Sequence, residues 1–226
     1  MNGIIELSGH LLLQIKRNNP TNNEQAALSS YAISQLLKEL HSDKALKTFW
    51  INIYNAFYQI LAANHSKSKG SIYKRKEIKI AGEIFTLDDI EHGILRRYRW
   101  KFSKGYLPHP FTSALIRKLA VKKIDYRIHF ALNCGAVSCP PIAFYDTEKI
   151  DQQLEIATAS FLESETRVES YSKTVYSTTL FSWFAGDFGG KKEALKIIGR
   201  VLNQDLKGFK LKYTKYNWDQ KLANFS

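Results

Sequence analysis

The sequence predicts an α+β fold, mostly helical with a small antiparallel or mixed sheet, and with the parts of a cysteine-hydrolase-like core. Several long stretches place apolar residues at helical spacing. The alternating stretches are few and scattered along the chain, so they do not build a repeating βαβ array. The chain of 226 residues has no internal repeat or low-complexity tract. It fits an N-terminal helical arm over 1–42 followed by one α+β domain over 43–226. Hydrophobic residues make up 44% and aromatic residues 13%, which predicts a core rich in rings.

The elements follow in order. Ile4 to Ile15 is a short amphipathic helix that stops before Asn18-Asn19-Pro20. Thr21 and Glu24 have capping-box spacing, and Ala27, Leu28, Tyr31, Ile33, Leu36, Leu37 and Leu40 mark a helix to about His41. Ser42 or Asp43 caps a helix over Lys44–Ala63, apolar around most of its circumference. Its polar residues Thr48, Asn52, Asn55 and Gln59 fall on one narrow uncharged stripe. A solvated stripe would carry Lys or Glu, so these amides should be buried and need partners. Asn52 and Asn55 are expected to face the Arg127–Asn133 segment.

Asn64 to Ser71 is a polar linker, and Ile78, Ile80 and Ile84 around Ala81-Gly82 predict a short hairpin. Thr86 caps a helix over Leu87–Tyr98, whose apolar stripe contains Glu91. A carboxylate there must be paired or protonated, so Glu91 is expected to be buried against an Arg or an amide. Asp88, His92 and Arg96 sit at four-residue spacing on the neighbouring flank. Helices are further expected over Thr112–Ala120, from Asp146 through Leu162, and over Lys191–Leu202. Short strands are expected within Val168–Ser177 and over Phe209–Tyr213, with an aromatic turn from Thr179 to Phe184 before Gly186-Asp187-Phe188-Gly189-Gly190. The central stretch is Arg127 to Pro141. Ile128, Phe130 and Leu132 alternate with His129, Ala131 and Asn133, which predicts a strand with one apolar face running into Cys134-Gly135.

The balance of 33 basic over 21 acidic residues gives a formal charge of +12. That excess fits a nucleic acid, an anionic membrane surface, an acidic ligand or a solvated face. Met1–Lys16 has no basic n-region or cleavage site of a secretory signal, and no run is long enough for a membrane span. Two cysteines do not make a disulfide framework. A soluble, cytoplasmic protein in a reducing compartment is the expectation.

Four blocks carry a family resemblance. They are Phe49-Trp50-Ile51-Asn52-Ile53-Tyr54-Asn55-Ala56, Leu87-Asp88-Asp89-Ile90-Glu91-His92-Gly93-Ile94-Leu95-Arg96, Ile128-His129-Phe130-Ala131-Leu132-Asn133-Cys134-Gly135 and Ser138-Cys139-Pro140-Pro141. In this order they resemble the family catalogued as domain of unknown function 547, over roughly Lys44 to Ala223. Tyr216-Asn217-Trp218 resembles that family's closing motif. The resemblance implies membership and no activity. Many members of that family look secreted or lipid-anchored, and plant relatives vary at the cysteine positions.

The residues themselves suggest three chemistries. The first is a thiol-dependent hydrolase or acyltransferase acting on a small or peptide-like substrate. Cys134 or Cys139 would be the nucleophile, and backbone N–H groups around Gly135 with an Asn133 or Asn55 amide would form the oxyanion hole. Along an extended strand His129 is about 16 Å from Cys134, so His92 is the preferred partner of Cys134, with Asn55 or Asp88 orienting it. Asn52, Glu91, Arg96, His129, Asn133 and Cys139 would line the site. The second is a tetrahedral metal site of His92, His129, Cys134 and Cys139, ranked below the first. No metal or other cofactor is expected. A Cys134–Cys139 disulfide is sterically conceivable, but a reducing address argues against it. The third is a binding module, using Lys67, Lys69, Lys74, Arg75, Lys76, Lys79, Arg96, Arg97, Arg99, Lys101 and Lys104 with interleaved aromatics as a surface for nucleic acid or another polyanion.

Overall fold

The computed structural model describes residues 3–65 and 71–226. Helix α4 (Asp43–Asn64) is the central element, and every residue from Ala45 to Gln59 is buried. Ser42 caps it, its hydroxyl accepting from the Ala45 N–H at 3.2 Å. Helix α1 (Ile4–Lys16) packs along α4. Ile4, Leu11 and Leu12 join Phe49, Trp50 and Ile53 in one apolar cluster. A single helix was expected from the Thr21 cap to about His41. Instead α2 (Asn22–Ser30) and α3 (Ile33–Glu39) are separated by extended backbone at Tyr31 and Ala32. The hairpin turn supplies the reason. The N–H groups of Ala81 and Gly82 donate to the carbonyls of Leu28 and Ser29, at 2.8 and 2.9 Å, and so end α2. That hairpin, β1 (Ile78–Ile80) with β2 (Glu83–Phe85), forms as expected, with Ala81 and Gly82 both at positive φ.

The chain has a second apolar cluster. Helix α6 (Ile150–Glu165), helix α7 (Leu180–Trp183), helix α8 (Lys191–Val201) and a mixed three-stranded sheet enclose Phe130, Phe161, Phe181 and Phe188. In that sheet β3 (Arg167–Glu169) pairs antiparallel with β4 (Thr174–Ser177), which pairs parallel with β5 (Lys210–Tyr213). Helix α5 (Ala114–Leu119) is capped by the Ser113 hydroxyl. The fold is therefore α+β and mostly helical.

Two segments differ from expectation, and both shape the site. Residues 127–133 are not a strand. Tyr126–Phe130 is a 3-10 helix, started by the Asp125 carboxylate accepting the Arg127 N–H at 3.2 Å. The segment from Ile128 to Asn133 is buried on both sets of alternating residues. Its apolar alternation therefore marked burial rather than a strand period. The segment over Asp89–Leu95 is a π-helix rather than an α-helix, with the Arg96 N–H donating to Glu91 and the Tyr98 N–H to Gly93. Thr86 and Asp89 start it reciprocally. The Thr86 N–H donates to Asp89 Oδ2 at 2.9 Å and the Asp89 N–H to Thr86 Oγ1 at 3.0 Å.

Candidate functional site

The π-helix carries Glu91, His92 and Arg96 towards the 3-10 segment that carries His129. The turn after α7 brings Asp187 between them. Gly105 and Gly186 allow this meeting, since a Cβ on Gly186 would lie within 2.5–2.7 Å of backbone atoms of Gly105 and Tyr106. Arg96 Nε donates to Asp187 Oδ2 at 2.5 Å and Arg96 Nη2 donates to Oδ1 at 3.2 Å. His129 Nε2 reaches the same Oδ2 at 2.9 Å. Phe184 lies under both, stacked on the His129 ring at 3.9 Å and 4.5 Å from the Arg96 guanidinium.

Proton positions follow from this wiring. Asp187 is held below the usual carboxylate range: burial pushes it up, but the hydrogen bonds from His129 and Arg96 outweigh burial. Burial lowers His129, against the pull of Asp187, and the nearby Arg96 charge adds to the lowering. A neutral His129 therefore donates its Nε2 proton to Asp187 and keeps its lone pair on Nδ1. Arg96 Nη1 lies 2.7 Å from His92 Nδ1. Because guanidinium only donates, Nδ1 accepts and the neutral His92 carries its proton on Nε2, 3.7 Å from Asp88 Oδ1. His92 is also lowered, by burial first and against the attraction of Glu91.

Asp88, His92, His129 and Phe184 line a cleft of about 270 Å³ with both cysteines, Tyr54, Tyr73 and Tyr216, while the Arg96 and Asp187 side chains are fully buried. Glu91 is largely buried, as expected, but its partner is the Tyr54 hydroxyl at 3.0 Å rather than an Arg or an amide. Cys134 and Cys139 are joined as a disulfide. This corrects the reading of two free thiols and removes the cysteine argument for a reducing compartment. The Tyr216 hydroxyl sits 3.1 Å from each sulfur. Burial raises the Tyr216 pKa, so it remains a donor.

Several expected roles are redistributed. Cys134 makes no hydrogen bond to His92, whose Nδ1 is taken by Arg96. Asn55 orients neither histidine. Its Oδ1 accepts the Asn133 N–H at 2.8 Å and its Nδ2 donates to the Ala131 carbonyl at 3.0 Å. It thus faces the 127–133 segment as expected. Asn52 does not, since it binds the N–H and carbonyl of Tyr145 at 3.1 and 3.0 Å. The anticipated oxyanion hole is already filled from within. Asn133 Oδ1 accepts the Gly135 N–H at 2.8 Å, and Asn133 Nδ2 donates to Pro140 at 2.7 Å. Nor do His92, His129, Cys134 and Cys139 assemble as four ligands, because the sulfurs bond each other and His129 Nε2 faces Asp187. Among the described residues no group of three or more His, Cys, Asp or Glu is placed to hold a metal ion.

Arg96 leaves the proposed basic surface, because it is fully buried. Lys67 and Lys69 lie outside the described residues. Sequence reasoning missed Asp187 and Tyr216 as site residues. For Asp187 the one available signal was a lone carboxylate inside the aromatic and glycine run from Phe184 to Gly190.

Residues 37–162 match the family described as "Protein of unknown function, DUF547". That span is more than half of the chain. The chain belongs to this family. No curated protein and no solved structure matches it. The matched part of this DUF547 chain contains Glu91, His92, Arg96, His129 and both cysteines, whereas Asp187 and Tyr216 lie after it. The cleft is therefore completed by residues beyond the matched span. Among the described residues no helix is long and apolar enough to cross a membrane.

Proposed function

We propose that the cleft is the active site of a thiol-dependent hydrolase or acyltransferase, with His129 as its base, Asp187 as the residue orienting that base, and Cys134 as nucleophile after reduction of the disulfide. The observation that carries the reading is the His129–Asp187 hydrogen bond of 2.9 Å, which leaves Nδ1 of a neutral imidazole uncommitted in a cleft shared with Cys134. Cys134 is preferred over Cys139 because it is the less buried of the two.

An external dithiol reduces the Cys134–Cys139 bond to two thiols and leaves as its own disulfide. Cys134 gives its proton to His129 Nδ1, and the thiolate adds to the carbonyl carbon of an ester or amide. The Tyr216 O–H, now beside the attacking sulfur, supplies a hydrogen bond to the developing oxyanion in place of the occupied backbone N–H groups. The alcohol or amine leaves with the proton from His129, and a thioester remains. Water, or an acceptor alcohol or amine, then adds to the thioester while His129 takes its proton. The sulfur departs as thiolate and recovers that proton. Asp187 keeps the imidazole in the tautomer with Nδ1 free, and Arg96 holds Asp187 ionised.

The test uses a panel of p-nitrophenyl acyl esters, with protein reduced by dithiothreitol and protein left oxidised. Turnover is expected in the reduced form alone and is expected to disappear in Cys134→Ser and His129→Gln. Iodoacetamide should label Cys134 of the reduced protein faster than a free thiol at about pH 7, because the neutral His129 accepts the thiol proton, and should label it poorly in His129→Gln. Reduced protein whose Cys134 reacts no faster than a free thiol, with labelling indifferent to His129→Gln, would overturn the assignment.

A further inference from the structure

The stretch from Arg97 to Ile124 contains eight Lys or Arg and no Asp or Glu. Apolar side chains stand out from it into solvent: Phe102 is 77% exposed, Leu107 58% and Phe111 88%. Trp100 joins them through edge contacts, with its centroid 6.1 Å from Phe102 and 6.4 Å from His109, which in turn lies 6.2 Å from Phe111. These rings form a continuous lip. In the same stretch Arg97, Lys104, Arg117 and Lys118 are exposed, while Lys101 is neutralised by Asp88 at 2.5 Å. A contiguous apolar patch on a soluble surface normally marks an interaction site.

We propose that this lip and its cations form a docking surface for an anionic lipid bilayer. Bare Phe and Leu tips insert where the headgroups meet the acyl chains, and Trp sits at the same depth. The cations then face the negative headgroups, and the two carboxylates beside the lip are already engaged, Asp88 by Lys101 at 2.5 Å and Asp89 by the Thr86 N–H at 2.9 Å. Nucleic acid fits the surface less well. Its bases stack on exposed ring faces arranged along a backbone track, whereas these rings meet edge to face, at interplanar angles of 86°, 82° and 74°. Leu107 offers no face at all. The docking surface shares Asp88, His92 and Lys101 with the cleft wall, so a docked protein would hold the cleft beside the bilayer. The inference does not depend on the chemistry of the cleft.

The experiment is co-sedimentation of the full chain with two kinds of vesicle, pure phosphatidylcholine and phosphatidylcholine with about a third phosphatidylglycerol. Binding is expected to the second kind only and should weaken with salt. The exposed-ring variant Phe102→Ser/Phe111→Ser should lose it even at low salt. Lys104→Gln and Lys118→Gln should each weaken it roughly fivefold. These side chains lie outside the core, so thermal unfolding of the variants should match the parent. No binding to anionic vesicles would overturn the proposal. So would binding that survives loss of both rings, or a single-stranded oligonucleotide that binds more tightly than the vesicles and ignores the ring variant.

Discussion

Arg96 and Asp187, 91 residues apart in sequence, form an ion pair whose two side chains are both fully buried, with Nε 2.5 Å from Oδ2. Burying two charges is costly, and the cost is offset only when each has good hydrogen bonds. Here each does. Asp187 accepts from Arg96 and from His129, and Arg96 also donates to His92 and lies on the face of Phe184. The pair therefore fixes the relative positions of the π-helix, the 3-10 segment and the turn after α7.

Removing one partner should be severe. Arg96→Met leaves a carboxylate buried with His129 alone, and Asp187→Asn leaves a buried guanidinium without its counter-charge. Each is expected to cost about 3–5 kcal/mol in urea unfolding. Arg96→Lys should recover less than half, because an ammonium cannot make the Nε, Nη1 and Nη2 contacts together. The double variant Arg96→Met/Asp187→Asn should be less destabilised than the two single losses added, since no unpaired charge remains. Additive losses would mean that the pair is not coupled.

Gly105→Ala attacks the same pair from outside. Gly105 has φ +84°, and a Cβ there would meet Arg96 Nη2 at 2.8 Å and also strike Asp187 Oδ1. Strain at positive φ and displacement of the ion pair add together. The expected loss is about 2–4 kcal/mol, whereas Gly82→Ala, with open space around its Cβ, should lose only the strain. Equal losses at the two positions would remove the ion-pair contribution.

Much of the frame was legible in the sequence. The stripe of Thr48, Asn52, Asn55 and Gln59 identified α4 as a buried helix whose amides bind other segments, because a solvated stripe would have been charged. Ser42 and Thr86, expected as caps, satisfy local N–H groups at the starts of α4 and the π-helix. The cleft was less legible, for two reasons. An alternating pattern carries information only when one face is solvated, and residues 128–133 are buried on both, so the 3-10 helix was read as a strand and His129 as too remote from Cys134. The Arg96–Asp187–His129 cluster is assembled across 91 and 58 residues of sequence by tertiary packing, and no local spacing encodes such a contact.

Acid should destabilise the protein in two stages. His92 and His129 have folded pKa values lowered by burial. The unfolded chain therefore takes up protons first, and stability that is full above about pH 6.5 declines as pH falls below it. Asp125 is pushed up by burial, but the hydrogen bonds from Arg127 and Lys47 prevail and hold it at about 2. Its contribution, roughly 2–3 kcal/mol, is present above about pH 4 and lost between there and its folded value. Urea midpoints measured against pH should show both declines, and Asp125→Asn should flatten the lower one. A protein that gains stability from neutral to mildly acidic pH would contradict the assignment of neutral buried histidines.

The Cys134–Cys139 bond closes a loop with a sequence separation of only 5. Loop-closure entropy for so short a span amounts to about 2 kcal/mol. Reduction, or Cys134→Ser/Cys139→Ser, should therefore lower Tm by roughly 4–8 °C without unfolding the chain. The local effect should be larger than the global one, because the C-terminal segment is fastened to this loop. The Val137 N–H donates to Asp219 at 2.9 Å, the Lys221 N–H donates to Gly135 at 2.7 Å, and Tyr216 touches both sulfurs. Freed from the bond, the loop opens transiently from that segment while the two apolar clusters stay closed, and it returns to Tyr216 in the closed state. Amide exchange at Val137 and Lys221 should then speed up on reduction, while the amides of α4 keep the protection set by global unfolding. If the α4 amides accelerate by the same factor as Val137, the bond constrains the whole fold rather than this one clamp.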